Sequence, residues 1–151
     1  MTDAFHITEQ AIDLEQCRHR VLSASCGGYA SFEGWVRDHN DGRRVASLEY
    51  EAYPALANKE GLRILQEARE RFPIEAVAAV HRVGRLALGD VAVWVGVASA
   101  HRDAAFSACR FVIDELKHRV PIWKREHYVE GPSEWVNCAA CAHPPGVHHD
   151  R

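Results

Sequence analysis

The stretch from Ile74 to Val120 constrains the fold most. Ile74–Val83 and Val91–Ala98 are apolar runs of strand length, separated by turn residues at Gly89-Asp90. Phe106, Cys109, Val112, Ile113, Leu116 and Val120 then recur at three- and four-residue spacing. That spacing predicts a helix with one buried face, capped by Asp103 and stopped by Pro121. Apolar strands followed by a one-faced helix call for helices layered on a sheet.

The rest of the chain adds elements of both kinds. Phe5–Ile7 suits a short strand, and Thr8–Leu22 a helix with Thr8 as N-cap and Ile12, Leu14, Cys17, Val21 and Leu22 at helical spacing. Gly27-Gly28 breaks the pattern. Tyr29–Val36 and Val45–Tyr53 read as a hairpin around the turn Asp38–Gly42. Pro54 suits a helix start, and Leu56, Leu62, Ile64, Leu65 and Ala68 carry that helix to Phe72-Pro73. Ile122–Val129 and Glu134–Val136 are further short strands. Helices and hairpins mix without strict alternation, which predicts an α+β fold with antiparallel strands. A length of 151 residues fits one domain. We expect that domain to span 1–137, with 138–151 as a flexible tail carrying cysteine and histidine.

Charge narrows the function classes. The 18 basic residues stand against 21 acidic ones, a net charge of −3. A general nucleic-acid binder is usually basic, so any anion site here is local. No apolar run approaches the ~20 residues of a membrane span. The start lacks a basic segment followed by an apolar one. The expected compartment is the cytoplasm, without nucleic-acid or membrane partners. Five cysteines do not suggest a disulfide framework in that setting; Cys17 and Cys109 fall on apolar helix faces and belong to the core. The sequence holds no GxxxxGK[ST], GxGxxG, HExxH or GxSxG motif.

Candidate chemistry concentrates in a few places. Of three lysines, Lys117 and Lys124 fall in one basic stretch, KHRVPIWKRE. Lys117 sits at the margin of the buried helix face, where desolvation can free an amine or the stem can simply snorkel. Alternation puts Ile122, Lys124 and Glu126 on one strand face and Trp123 and Arg125 on the other. His101-Arg102 precedes a helix start, where N–H groups attract anions. Arg37 stands where a strand enters its turn. Cys138, Cys141 and His143 are metal-ligand types but lack a second spaced pair, so they are only a weak metal candidate.

Five segments together carry a resemblance: GWVRDHN (34–40), LEYEAY (48–53), HRVGRLALGD (81–90), SAHRDAAF (99–106) and LKHRVPIWKRE (116–126). In order and spacing they resemble the large, catalytic subunit of molybdopterin synthase. The resemblance implies an α/β hammerhead-like portion and a homodimer within a heterotetramer. Each large subunit binds a small ubiquitin-like sulfur carrier through its C-terminal Gly-Gly thiocarboxylate. The implied reaction is sulfur transfer to cyclic pyranopterin monophosphate, forming the molybdopterin dithiolene without a bound cofactor. By motif, Lys117 and Lys124 become the expected catalytic residues. Trp35, Val36, Arg37, His101, Arg102, Arg125 and Glu126 become the expected substrate-binding set. The family often has an arginine shortly after its WV block; here that stretch reads Asn137-Cys138-Ala139-Ala140.

Overall fold

The apolar runs form strands, and helices cover them on both faces. A computed structural model describes residues 4–137. Its elements are β1 (Ala4–Thr8), α1 (Leu14–Val21), β2 (Gly28–Trp35), β3 (His39–Asn40), β4 (Arg43–Ala52) and α2 (Pro54–Arg71). They continue as β5 (Ala76–Arg82), β6 (Gly84–Ala87), β7 (Val91–Ser99), α3 (Arg102–Arg119), β8 (Ile122–Tyr128) and β9 (Trp135–Asn137). The fold is α+β. The expected tail 138–151, with Cys138, Cys141 and His143, lies outside the described residues.

One sheet has the order β1-β5-β7-β2, with β1 and β5 parallel and the other neighbours antiparallel. Because side chains alternate along a strand, β5 and β7 serve two cores. Val77, Ala79, Val93, Val95 and Val97 pack with residues of α2 and α3, including Ile64, Leu65 and Val112. Ala76, Ala78, Val80, Trp94 and Ala98 pack with Cys17 and Val21 of α1. The second sheet runs β3-β4-β8-β9, with β6 also paired to β4. β4, β6 and β8 are antiparallel, and the register sets Tyr50 opposite Lys124 and Glu49 opposite Arg125.

Several local expectations change. Thr8 is the last residue of β1, paired with Arg82, so it caps nothing helical. Pairing with β5 holds this segment extended, and the cap falls to Asp13, whose carboxylate accepts from the Gln16 N–H at 3.2 Å. The residue flanking α3 is His101, in extended conformation; Asp103 lies inside the first turn. There its charge still favours the positive end of the helix. Phe106 is 64% exposed, and Leu56 and Leu62 are also exposed. The buried face of α3 runs instead through Ala105, Ala108, Cys109, Val112 and Leu116. Small residues at 105 and 108 let the helix approach the sheet closely. Strand β6 is an addition to the predicted elements, because its four residues show no alternation long enough to read.

The two long helices are held by one clamp and one close approach. Arg119 donates to Glu60 at 2.8 Å and Glu67 at 2.7 Å on α2, and to Glu115 at 3.1 Å on α3. The Arg119 guanidinium holds the Glu67 carboxyl below the usual range. Such a group adds stability above its unfolded pKa, and the gain fades as pH falls below about 4.5. Arg119→Ala should cost about 1–2 kcal/mol at pH 7, since the pairs are partly exposed. The difference from wild type in urea midpoints should shrink at about pH 3.5. Near β1, a Cβ on Gly61 would stand 2.3 Å from the Phe5 ring. Gly61→Ala should therefore lose about 1–3 kcal/mol by overpacking, read as a lower urea midpoint with unchanged slope.

Candidate functional site

The last turns of α3 and the second sheet converge on His81. β5 places this ring on the α2/α3 side of its sheet, where it is buried. Tyr50 of β4 meets it edge to face, with centroids 4.8 Å apart. Lys117, half-buried, lines a small cavity with His81, Leu116 and Ile122. Lys124 is the cross-strand neighbour of Tyr50. The two lysines thus flank the Tyr50–His81 pair from a helix and from a strand. Burial, and secondarily the Lys117 charge, push the His81 imidazole down to about 3 against the pull of the Arg82 carbonyl.

Lys124 also opens onto a concavity of about 210 Å³, lined among others by Arg43, Glu126, Tyr128 and Val136. Glu126 Oε1 accepts from Asn40 Nδ2 at 2.8 Å and from the Tyr128 hydroxyl at 3.0 Å. Arg37, exposed, donates to Asn40 Oδ1 at 3.3 Å. Arg43 lies over the Tyr128 ring at 3.5 Å. Burial and the Glu126 carboxylate raise the Tyr128 phenol. A polar chain therefore links Arg37 through Asn40 and Glu126 to the wall holding Lys124. The turn that positions Arg37 is possible because Asp41 and Gly42 adopt positive φ, 50° and 78°.

Other expected residues lie elsewhere. Val36 is a core residue; its N–H donates to the Asp90 carbonyl and its carbonyl accepts from Gly89. In this place it anchors the exposed Trp35 and Arg37. Arg125 is on the opposite face of β8 from Lys124, as alternation predicts. There it donates to Glu49 at 3.0 Å and stacks over Trp135 at 4.6 Å. His127 shares Glu49 at 2.7 Å. The His127 and Arg125 hydrogen bonds hold the Glu49 carboxyl below its usual range.

His101 and Arg102 open α3, beside Gly27 and Asp103. Gly28 is needed there, because a Cβ would stand 3.0 Å from the Arg102 nitrogen. Ser99, fully buried, donates its hydroxyl to the His101 carbonyl and fixes the turn. Fifteen residues at 1.5 Å each put Arg102 ~22 Å from Lys117 along the helix. One chain does not bring these two groups to one small ligand. Sequence reasoning missed Tyr50, Asn40, Arg43 and Tyr128, since their roles arise from cross-strand register. Among the described residues, no group of three or more histidine, cysteine or acidic side chains could hold a metal. No helix of the described residues is long and apolar enough to cross a membrane.

The two-sheet α+β fold sets two lysines around a buried imidazole. Residues 7–119 match the family described as MoaE protein. The molybdopterin synthase catalytic subunit of Pseudomonas aeruginosa is 49% identical over 110 residues, covering 73% of each chain. That of Nostoc sp. is 40% identical over 140 residues, covering 92% of this chain and 85% of the relative. The X-ray crystal structure of molybdopterin synthase from Staphylococcus aureus superposes with a TM-score of 0.82 at 37% identity, covering 87% of this chain and 95% of that one. The chain belongs to the MoaE family.

Proposed function

We propose that this chain is the catalytic subunit of a molybdopterin synthase. It moves sulfur from the thiocarboxylated C-terminus of a small ubiquitin-like subunit to cyclic pyranopterin monophosphate, and forms the dithiolene. The observation that carries the reading is the convergence of Lys117 and Lys124 on the Tyr50–His81 pair. Loss of sulfur from an acyl carbon develops oxyanion charge, which a placed ammonium stabilises. Lys117 takes that role on the carrier tail. Lys124, facing the wider concavity with Glu126 and Arg43, serves the pterin.

The concavity of about 210 Å³ is smaller than the ~300–1,000 Å³ of usual ligand pockets. The site is therefore completed by other chains: the carrier's tail, and a second copy of this chain in a homodimer. With ~22 Å of helix between them, His101 and Arg102 serve the Lys117 site of the second copy, where their charge suits a phosphate. Arg37 extends the cationic rim, and Arg43 supplies charge where the family often has an arginine after its WV block. Arg125 and Trp35 shape the rim rather than the lysine cleft. The compartment that fits is the cytoplasm.

The test is reconstitution. Purified chain, thiocarboxylated small subunit and cyclic pyranopterin monophosphate should yield dithiolene product. A folded chain that binds the small subunit and gives no product would reduce the reading to a binding module.

A further inference from the structure

We infer that His81 is a positioning residue for Lys117, its neutral imidazole presenting Nε2 as the acceptor that orients the lysine's ammonium. The inference rests on the reading above, in which Lys117 serves the transfer. His81 Nδ1 lies 2.8 Å from the Arg82 carbonyl oxygen. A carbonyl only accepts, so Nδ1 carries the proton and donates. In a neutral ring, Nε2 is then a bare acceptor. The Tyr50 ring packs against it at a steep angle from the β4 side.

On the α3 side the ring borders a void of about 10 Å³. That room suits about one water. Its other walls are Val93, Ile113, Leu116, Lys117, Val120 and Ile122. Lys117 is the one wall whose side chain can donate a hydrogen bond. β7 and β8 bring only Val93 and Ile122 to this void, and β4 brings Tyr50 to the ring. Burial and the Lys117 charge both disfavour imidazolium, so the ring stays uncharged over the working range. A lysine has a flexible four-carbon stem. An acceptor at the root of the cleft restricts that freedom without neutralising the ammonium.

Three lysines make the test direct. Titration of ¹³Cε-labelled lysine reads each amine, with the Lys117 signal assigned from Lys117→Arg. His81→Phe keeps the ring volume and removes Nε2. Loss of an acceptor for the charged form should lower the Lys117 titration by at least about half a unit. His81→Gln, which returns an acceptor, should recover part of the shift. In the reconstituted assay, kcat should fall about tenfold with KM nearly unchanged, and the alkaline limb should move with the titration.

Long-range ¹H–¹⁵N spectra of the unaltered protein test the tautomer without any variant. They should show Nδ1–H from about pH 5.5 to about 9. An Nε2–H tautomer overturns the inference, whether or not His81→Phe folds. So does a Lys117 titration unmoved by His81→Phe. If the titration moves while Lys117→Ala turns over normally, the positioning contact stands and the synthase role of Lys117 falls.

Discussion

Lys117→Ala should lower dithiolene formation by about two to three orders of magnitude, the usual loss when one oxyanion-stabilising group is removed. Lys117 is half-buried where α3 ends against β8, and the cleft around it is otherwise apolar apart from His81. A charge in such a place acts through little water, and no neighbour on α3 can replace it. His118 bonds back to the Asp114 carbonyl at 2.8 Å, and Arg119 is clamped by Glu60, Glu67 and Glu115. The variant should still bind the small subunit, because truncation leaves the surrounding wall in place. Single-turnover formation of product, with the small subunit saturating, measures the effect. Turnover near that of wild type would remove Lys117 from the chemistry and leave Lys124 as the candidate.

The second large effect is complementation. Lys117→Ala and the double variant His101→Ala/Arg102→Ala should each be nearly inactive, yet an equal mixture that exchanges subunits should recover about a quarter of wild-type activity. The arithmetic follows from symmetry. Half of the random dimers are mixed, and in each mixed dimer one of two sites has both its lysine and its phosphate-binding pair. The physical basis is the ~22 Å of helix between Arg102 and Lys117. A rigid helix cannot bring its two ends to one small substrate, so a site needing both draws on two copies. No recovery in a mixture shown to exchange subunits would mean that His101 and Arg102 act elsewhere.

The alternating and helical patterns fixed most of the architecture. Apolar residues in β5, β7 and α3 leave few ways to be covered, which is why α+β is legible in the sequence. Pro54 and Pro121 marked boundaries correctly, because a fixed φ and a missing N–H act locally. Cys17 and Cys109 are buried, as their spacing implied. The boundaries that failed were those decided by distant partners. Thr8 looks like a helix cap until β5 pairs with it, and Phe106 looks like core until Ala105 and Ala108 bring the helix close to the sheet.

The site divides in the same way. The sequence by itself singled out Lys117, Lys124, Arg37, His101, Arg102, Arg125 and Glu126, and the strand period separated Lys124 from Arg125. Only the tertiary structure decided that Tyr50 and His81 stand between the two lysines, that Val36 is core, and that Arg125 is occupied by Glu49. The predicted helix already set His101-Arg102 at the opposite end from Lys117, and α3 keeps them there. Side-chain type and period are properties of the local chain, so a sequence carries them openly. Cross-strand register and the direction of a helix across a sheet are set by packing between segments tens of residues apart, and local patterns do not encode them.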